Sequence, residues 1–396
     1  MEMSHIAANA KPSATLALNA KAKRMAREGV DVLTFALGEP DFDTPEHIKQ
    51  AGHRAIQAGY TKYTPAAGMP ELREAIAAKL RNENGLDYAP EQIIVCNGAK
   101  QALYMIMLCL VEHGDEVLLP APYWVSYAAQ ARFCGAEPVP IDTTDNNLRL
   151  SADLLEEAIT ECSRVLVLNS PSNPTGVVLT ESELRSIVEV ALRHDLWVVA
   201  DEIYEKLIYD DAVHVSPAGF SDEALERVIT VNGFSKTYAM TGWRVGYAAG
   251  PSQVIKAATS IQSNTTSAPN TIAQKAAITA LTGTQEPVEE MRDAFDGRRR
   301  LIVEGLNDIP GIRCVMPAGA FYAFPNCSDL MDRSIDGTTI ENSLQLCEAL
   351  LEHAKVALTP GSAFGAEGYV RLSYATSTDH IEQALERIAE FVGQLE

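Results

Sequence analysis

Short apolar runs rich in β-branched residues recur along the middle of this chain, and segments with helical periodicity separate most of them. Six such runs occupy residues 93–96, 116–119, 165–168, 197–200, 228–231 and 245–248. Strands that alternate with helices usually lie parallel, because each helix carries the chain back across a face of the sheet. The pattern therefore predicts an α/β fold built on a mostly parallel sheet.

One intervening segment carries a clear helix start. Thr180 and Glu183 form a capping-box pair, and apolar residues follow at positions 184, 187, 188 and 191. We expect a crossover helix there, with a structural role.

The length of 396 residues is too great for one ordinary core, so we expect two packed domains. After a predicted helix at 269–282, long charged segments at 289–305, 342–353 and 380–394 alternate with short strands. We expect a large domain at 46–285 and a smaller α/β domain at 286–396. Residues 1–45 are expected to pack with the smaller domain.

The charge of the chain excludes several classes of partner. Its 53 acidic and 32 basic side chains give a net charge of -21, which repels nucleic acid and acidic membrane surfaces. Seven cysteines without Cys-x-x-Cys spacing suggest free thiols in a reducing cytoplasm, with no metal site. No apolar run approaches a membrane span, and residues 1–9 lack a secretory signal pattern, so we expect the cytoplasm.

Polar residues follow three of the predicted strands at their carboxyl ends. They are 169–176 (Asn-Ser-Pro-Ser-Asn-Pro-Thr-Gly), 201–204 (Asp-Glu-Ile-Tyr) and 232–236 (Asn-Gly-Phe-Ser-Lys), and a fourth group at 97–101 (Asn-Gly-Ala-Lys-Gln) opens a helix. Ligands of parallel sheets bind just beyond the carboxyl ends of the strands. We therefore expect these groups to form one site.

The Gly98-Ala99-Lys100 turn suits an anion. Free backbone N–H groups and a partial positive charge at the start of a helix favour phosphate. Ser235 and Arg244, near a second strand end, would add a hydroxyl and a fixed cation. In isolation, an ordinary strand-to-helix turn explains this sequence better.

Asp201 directly follows the apolar run 197–200, where an ionised carboxylate needs a partner. A protonated pyridine nitrogen would be such a partner, and Tyr204 would share a face with Asp201 if the chain turned helically. The alternative, in which Asp201 caps a helix and Tyr204 packs in the core, fits these two residues equally well.

Lys236 and Arg371 are the other candidate site residues. A lysine forms a Schiff base only when unprotonated, and the nearby cation Arg244 would lower the pKa of Lys236. Arg371 lies in an alternating segment, 369–374, where a carboxylate partner is plausible. A solvated surface lysine and a surface strand are the competing interpretations.

Three motifs together resemble the fold-type I, class I aminotransferases, above all the bacterial aspartate aminotransferase subgroup. They are Ser-Pro-Ser-Asn-Pro-Thr-Gly at 170–176, Asp-Glu-Ile-Tyr at 201–204 and Ser-Lys-Thr-Tyr-Ala-Met-Thr-Gly-Trp-Arg at 235–244. The resemblance covers nearly the whole chain. It implies a mostly parallel seven-stranded sheet between helices, a smaller α/β domain, pyridoxal 5′-phosphate as the cofactor, and a homodimer with shared active sites.

The resemblance also assigns cofactor contacts. Lys236 would hold the cofactor as a Schiff base and move the substrate proton, while Asp201 would keep the pyridine nitrogen protonated. Asn173 and Tyr204 would hydrogen-bond the phenolic oxygen, and Trp124 would stack on the ring. The phosphate would contact Gly98, Ala99, Lys100, Ser235, Arg244 and, from the neighbouring subunit, Tyr63.

Substrate contacts follow from the same resemblance. Arg371, with the Gly38 backbone, would bind the α-carboxylate, and Lys100 would bind the distal carboxylate of a dicarboxylic amino acid. Trp124 and Asn173 would also contact the substrate.

Two local features refine the resemblance. Residues 11–15 (Lys-Pro-Ser-Ala-Thr) resemble the mobile N-terminal segment of the bacterial subgroup. Gly233 departs from many relatives, in which a serine precedes the reactive lysine by three positions. This glycine removes one possible phosphate ligand.

We expect transfer of the amino group of L-aspartate to 2-oxoglutarate by a ping-pong mechanism. Glutamate, prephenate and aromatic amino acids are alternative substrates, and a carbon–sulfur lyase is a less favoured reaction on the same framework. A cofactor-binding regulator is disfavoured, because such proteins usually attach a DNA-binding domain and this chain is acidic. A nucleotide-binding Rossmann enzyme is disfavoured because no Gly-x-Gly-x-x-Gly follows the first strand.

Overall fold

The computed structural model describes residues 14–396, with side chains from Leu18 onward. Its largest unit is a seven-stranded sheet. The strands of the described chain are β1 (Leu33–Thr34), β2 (Ile93–Cys96), β3 (Glu116–Ala121), β4 (Glu137–Asp142), β5 (Ser163–Asn169), β6 (Trp197–Asp201), β7 (Val228–Gly233), β8 (Gly246–Ala249), β9 (Tyr322–Ala323), β10 (Ser334–Ile335), β11 (Thr338–Thr339), β12 (Val356–Ala357), β13 (Thr359–Pro360) and β14 (Val370–Ser373).

Helices connect most of these strands. Among residues 14–396, none of them is both long and apolar enough to cross a membrane. The helices are α1 (Ala14–Arg27), α2 (Glu46–Gln57), α3 (Pro70–Asn84), α4 (Ala99–Leu110), α5 (Ser126–Phe133), α6 (Ala152–Ala158), α7 (Glu181–Arg193), α8 (Asp222–Leu225), α9 (Ser252–Thr265), α10 (Thr271–Thr282), α11 (Glu286–Asn307), α12 (Ser343–Ala349) and α13 (Thr378–Gly393).

The seven-stranded sheet has the order β2-β8-β7-β6-β5-β3-β4. Strand β8 runs antiparallel to both of its neighbours, and every other pair in the sheet is parallel. The predicted α/β fold with a mostly parallel seven-stranded sheet is therefore confirmed.

All six predicted strands are present, and β4 is the one strand of this sheet that the sequence pattern did not indicate. Its sequence, Glu-Pro-Val-Pro-Ile-Asp, contains two prolines, which normally argue against a strand. Strand β4 lies at the edge of the sheet and pairs only with β3 within it. An edge strand tolerates proline because half of its backbone groups face away from the ladder.

Successive residues of the central strands enter different apolar clusters. In β5, Val165 and Val167 belong to one cluster, whereas Leu166 and Leu168 belong to the other. Side chains of a strand alternate between the two faces of its sheet, so both faces are covered. This explains why the strands read as continuous apolar runs, and it leaves the polar residues to the strand ends.

One predicted helix start agrees with the structure, and a second is shifted by two residues. Thr180 Oγ1 accepts a hydrogen bond from the Glu183 N–H at 3.3 Å, and the Glu183 carboxylate accepts one from the Thr180 N–H at 2.7 Å, so the capping box of α7 is present. The helix expected at 269–282 begins at Thr271. Asn270 caps it by accepting a hydrogen bond from the Ala273 N–H at 3.0 Å.

The C-terminal third contains a second, three-stranded sheet of order β13-β14-β9, which places Arg371 on its central strand. The three predicted charged helices correspond to α11, to α12 with the π-helical turn Leu350–Ala354, and to α13. Strand β1 pairs in parallel with β12, which joins residues near 33 to this part of the chain. The domain boundaries stay a prediction, and residues 1–13, including most of the 11–15 segment, lie outside the described residues.

Candidate active site

A cavity of about 370 Å³ lies at the carboxyl ends of β5, β6 and β7. These are the strand ends at which the sequence predicts a site. Eleven of the predicted site residues line the cavity: Gly38, Ala99, Lys100, Trp124, Asn173, Asp201, Tyr204, Ser235, Lys236, Arg244 and Arg371. Segments far apart in the sequence thus meet at one point.

Lys236 follows β7 and carries an amine with an unusual acidity. Its Nζ donates a hydrogen bond to the carbonyl oxygen of Gly38. The pKa of Lys236 is lowered to about 8, mainly by burial; Glu39 and Asp201 oppose this shift, whereas Arg371 and Arg244 contribute to it. The amine is therefore substantially neutral at mildly alkaline pH.

Asp201 ends β6 and is 3% exposed. Its Oδ2 accepts a hydrogen bond from the Tyr127 hydroxyl at 2.7 Å, and its Oδ1 accepts one from the Ile203 N–H at 3.3 Å. Both donors are uncharged, and burial raises the pKa of Asp201 to about 6. The carboxylate therefore has neutral hydrogen-bond donors but no cation bonded directly to it among the described residues.

Tyr204 lies in a turn after β6 rather than in a helix. Its hydroxyl is 2.8 Å from that of Tyr322, and its ring packs edge-on against Phe321 with 5.6 Å between centroids. Tyr204 thus both packs in the core and lines the cavity, whereas no helix follows Asp201 for it to cap.

The start of α4 forms a cradle beside Arg244. Gly98 has φ of 82°, and a Cβ there would lie 2.6 Å from Arg244 Nη2. Arg244 is fixed by hydrogen bonds from Nη1 to the Thr241 carbonyl at 2.8 Å and from Nη2 to the Asn97 carbonyl at 3.3 Å. Gly98 supports the cradle without lining the cavity itself.

Gly233 and Gly246 allow this cradle to pack closely on the sheet. A Cβ on Gly233 would lie 2.9 Å from the Cα of Gly246, its partner across β7 and β8. A Cβ on Gly246 would lie 2.3 Å from the backbone nitrogen of Ala99. The glycine at 233, a departure from many relatives, thus has a packing reason.

Arg371 retains free hydrogen-bonding capacity although it is 6% exposed. It donates from Nη1 to Asn173 Oδ1 at 3.1 Å and from Nη2 to the Ala36 carbonyl at 2.8 Å, while its Nε has no partner among the described residues. Its guanidinium carbon lies 4.7 Å from the ring centroid of Tyr322. A buried guanidinium without a carboxylate partner is suited to bind an anionic ligand.

Lys100 and Trp124 form another part of the cavity wall. Lys100 Nζ lies 4.6 Å from the Trp124 ring centroid. Burial and the neighbouring charge of Arg244 lower the pKa of Lys100. Tyr63 is not part of this wall, because it is 97% exposed on the surface of the chain.

Two residues that the sequence did not indicate also line the cavity: Tyr127 and Tyr322. Tyr127 follows Trp124 by three residues, a spacing that puts both on one side of a helical turn. Asn169, which ends β5 and opens the predicted 169–176 group, lines the cavity as expected. No sequence pattern around Tyr322 indicated a site residue, because its strand, β9, lies next to the cavity only in the folded protein.

A separate buried cluster lies beside the strand end. Glu202, Glu205 and His214 bring potential ligand atoms within 4.8 Å of one another. Lys79 Nζ donates to Glu205 and to Asn84, so an ammonium group already supplies positive charge there. We interpret these residues as a structural ion-pair cluster.

Comparison with known proteins agrees with this geometry. The family model of aminotransferase class I and II matches residues 30–388. The chain is similar to the aspartate aminotransferase of Geobacillus stearothermophilus, with 49% identity over 393 residues and 99% of each chain covered. It is also similar to the crystal structure of the aspartate aminotransferase from Rhizobium meliloti, with a TM-score of 0.97, 44% identity and 100% of each chain covered.

A further solved structure, the aspartate aminotransferase from Thermus thermophilus with maleate, has a TM-score of 0.93 and 45% identity. The match covers 99% of this chain and 100% of that one. Both the whole sequence and the whole fold thus agree with one family. The chain belongs to the class I and II aminotransferases.

Proposed function

We propose that this aminotransferase binds pyridoxal 5′-phosphate in the cavity, and that L-aspartate is its preferred amino donor and 2-oxoglutarate its acceptor. One observation carries the proposal: Asp201, Lys236, Lys100 and Arg371 line a single cavity. The Asp201 carboxylate would pair with a protonated ring nitrogen, and the Lys236 amine would react with an aldehyde. The two further cations, Lys100 and Arg371, would bind the two carboxylates of a dicarboxylic substrate.

Three features of the described residues fit the cofactor. Asp201 has only neutral hydrogen-bond donors, and a protonated ring nitrogen would give it a cationic partner. Lys236 has a lowered pKa, which favours the neutral amine that reacts with an aldehyde. The cradle of Gly98 and Arg244 at the start of α4 suits a phosphate.

We assign the cofactor contacts accordingly. Trp124 would stack on the ring, and Asn173 with Tyr204 would hydrogen-bond its phenolic oxygen. The residues assigned to the phosphate are Gly98, Ala99, Lys100, Ser235, Arg244 and, from a second copy of the chain, Tyr63.

The protein would hold the reacting groups and move one proton. When bound, pyridoxal 5′-phosphate supplies an electron-accepting ring. Lys236 Nζ would take the proton from the substrate α-carbon, a step that requires its neutral form. The negative charge of Asp201 would favour protonation of the ring nitrogen, and the Tyr204 hydroxyl, aligned by Tyr322, would donate to the phenolic oxygen.

Two cations would select a dicarboxylic substrate. Arg371, whose Nε lacks a partner among the described residues, would bind the α-carboxylate beside Gly38, and Lys100 would bind the distal carboxylate. A charge-assisted hydrogen bond contributes about 1.5 to 3 kcal/mol, enough to distinguish substrates with and without the second carboxylate. The relatives named aspartate aminotransferase support this choice.

We further propose a homodimer in which each subunit completes the site of the other. Tyr63 supports this arrangement, because its side chain is 97% exposed in the single chain and is therefore free to contact a second copy. Small-molecule amino acids and oxoacids are the other partners that we propose.

The domain division and the location stay proposals of the same kind. The boundaries at 45/46 and 285/286 coincide with the first residues of α2 and α11, which supports a large domain at 46–285 and a smaller one at 286–396. All seven cysteines are free thiols, which supports the reducing cytoplasm.

Incubation with single amino donors tests the proposed function. L-Aspartate, added without an oxoacid, should convert the bound aldehyde to pyridoxamine 5′-phosphate, and 2-oxoglutarate should reverse the change. A screen of donors at equal concentration should give aspartate the highest kcat/KM. An absorption spectrum of the bound cofactor that stays unchanged on addition of aspartate, glutamate or aromatic amino acids would contradict the proposal.

The lyase alternative has a different signature. A carbon–sulfur lyase would release ammonia and pyruvate from cystathionine in the absence of any oxoacid acceptor. Amino-group transfer that depends strictly on an added oxoacid excludes it.

A further inference from the structure

Tyr127, which no motif indicated, makes a buried contact with the carboxylate at the end of β6. Its hydroxyl donates to Asp201 Oδ2 at 2.7 Å, and the residue is 2% exposed. Burial, together with the negative charge of Asp201, raises the pKa of Tyr127 well above its ordinary value. The hydroxyl therefore keeps its proton and remains a donor throughout the working pH range.

The same residue contacts a second wall of the cavity. The Tyr127 ring packs edge-on against Trp124, with 5.4 Å between centroids and 84° between planes. One turn further along α5, Gln130 donates to the carbonyl oxygen of Lys100 at 2.9 Å. One face of α5 thus touches the carboxylate, the indole and the start of α4.

We propose that Tyr127 is a positioning residue of the transamination reaction, which keeps the Asp201 carboxylate charged and aimed into the cavity and holds the Trp124 ring edge-on beside it. This inference rests on the proposed function, since it presumes that Asp201 pairs with the ring nitrogen of the cofactor. Tyr127 acts through Asp201 and Trp124 rather than on the reacting atoms.

The electrostatics of Asp201 give the contact its importance. Burial disfavours the charged carboxylate, and the hydrogen bonds from Tyr127 and the Ile203 N–H oppose that effect. Among the neighbouring charges, Glu202 also disfavours ionisation and Lys236 favours it. Loss of the Tyr127 hydroxyl removes the largest favourable contribution, so more of the cofactor-free protein would carry a protonated Asp201.

The expected effect depends on pH in a specific way. If the pKa of Asp201 rises by about one unit, the charged fraction falls roughly tenfold well below that pKa and hardly at all well above it. With a wild-type pKa of about 6, Tyr127→Phe should therefore weaken pyridoxal 5′-phosphate binding about fivefold at pH 6 and less than twofold at pH 8. The ratio of variant to wild-type dissociation constants removes the other pH effects that both proteins share.

The matched control is Tyr123→Phe. Tyr123 is a half-buried neighbour whose hydroxyl makes no hydrogen bond with the described residues. Dissociation constants for pyridoxal 5′-phosphate would be measured by absorbance titration of the cofactor-free proteins at pH 6, 7 and 8. A ratio for Tyr127→Phe that is flat with pH, or equal to that for Tyr123→Phe, overturns the proposal.

A double-mutant cycle separates this inference from the proposed function. If Asp201→Asn leaves cofactor binding intact, the pairing of Asp201 with the cofactor is wrong and the proposed site fails with it. If Asp201→Asn weakens binding and Tyr127→Phe does not, only the role of Tyr127 is wrong. The inference predicts that Tyr127→Phe has no pH-dependent effect in the Asp201→Asn background.

A second variant covers the case in which Tyr127→Phe does not fold. Replacement of Tyr127 by 3-fluorotyrosine nearly preserves the size of the side chain and makes its hydroxyl a stronger donor. Binding should then tighten at pH 6 relative to pH 8, the opposite direction to the phenylalanine variant. Unchanged or weaker relative binding at pH 6 contradicts the proposal.

Discussion

Asp201 and Lys236 line the same cavity, and the charge of each shifts the pKa of the other. They come from adjacent parallel strands, because Asp201 ends β6 and Lys236 follows β7 by three residues. Burial nevertheless dominates both groups, since it raises the pKa of the acid and lowers that of the base. The protein thus holds two groups whose charged forms are disfavoured until a ligand compensates them.

Capture of the cofactor should follow the titration of Lys236. The amine reacts with an aldehyde only when neutral, and its pKa is lowered to about 8. The rate of covalent attachment of pyridoxal 5′-phosphate should rise about tenfold per pH unit below pH 8 and level off above it. Stopped-flow absorbance at pH 6 to 10 measures this rate.

A primary amine in solution, with an ordinary lysine pKa, is the reference for this experiment. Its rate should still rise at pH 10. Lys236→Ala should fold but form no covalent bond that borohydride can trap. A plateau for the wild type only above pH 10 would show that the amine is not desolvated.

Asp201→Asn should stabilise the cofactor-free protein. The pKa of Asp201 is about 6 in the folded chain against 3.8 for an ordinary aspartate, so the folded state binds this proton more tightly than the unfolded state does. The charged carboxylate therefore costs about 3 kcal/mol above pH 6, and the cost disappears as the pH falls below 4.

Thermal unfolding of both cofactor-free proteins at pH 8 and at the lowest pH they tolerate measures that cost. The melting temperature of Asp201→Asn should exceed that of the wild type at pH 8, and the gap should shrink on acidification. With pyridoxal 5′-phosphate added, the order should reverse, because the wild type gains more from binding. A variant that is less stable than the wild type at pH 8 would show that the charged Asp201 does not destabilise the cofactor-free protein.

The strand-end rule explains why Asp201 and Lys236 could be recognised in the sequence, because each follows a continuous apolar run. Tyr127 and Tyr322 could not be recognised in that way, since they reach the cavity from a helix and from the second sheet. Strand β4 was not predicted, because its two prolines argue against a strand and are tolerated only at the edge of a sheet. Local patterns thus located the central strands and their polar ends, whereas contacts between distant segments required the structure.

Gly246→Ala should damage the cradle at the start of α4. The new Cβ would lie 2.3 Å from the backbone nitrogen of Ala99 and 2.7 Å from the carbonyl carbon of Gly98, and backbone atoms cannot rotate away. We expect a destabilisation of about 1 to 3 kcal/mol from overpacking and a weaker hold on the cofactor.

Gly297→Ala in α11 is the matched control, because a Cβ there meets nothing within 4 Å and alanine favours the helix. In urea unfolding, the free energy of unfolding should be lower for Gly246→Ala than for the wild type and slightly higher for the control. Cofactor affinity should fall only for Gly246→Ala. Equal behaviour of the two variants would mean that the close approach of β8 to α4 has no energetic importance.

Lys100→Gln should remove selectivity for dicarboxylic substrates. Loss of one charge-assisted hydrogen bond, worth about 1.5 to 3 kcal/mol, corresponds to a fall of roughly 10- to 100-fold in kcat/KM for aspartate. Alanine lacks the distal carboxylate, so its kcat/KM should fall much less. The ratio of the two values isolates substrate recognition from any shared effect on the Trp124 contact or the phosphate.

Lys256→Gln, at an exposed position of α9, is the control and should leave the ratio unchanged. If kcat/KM falls equally for aspartate and alanine, Lys100 binds the cofactor alone, and another residue selects the second carboxylate.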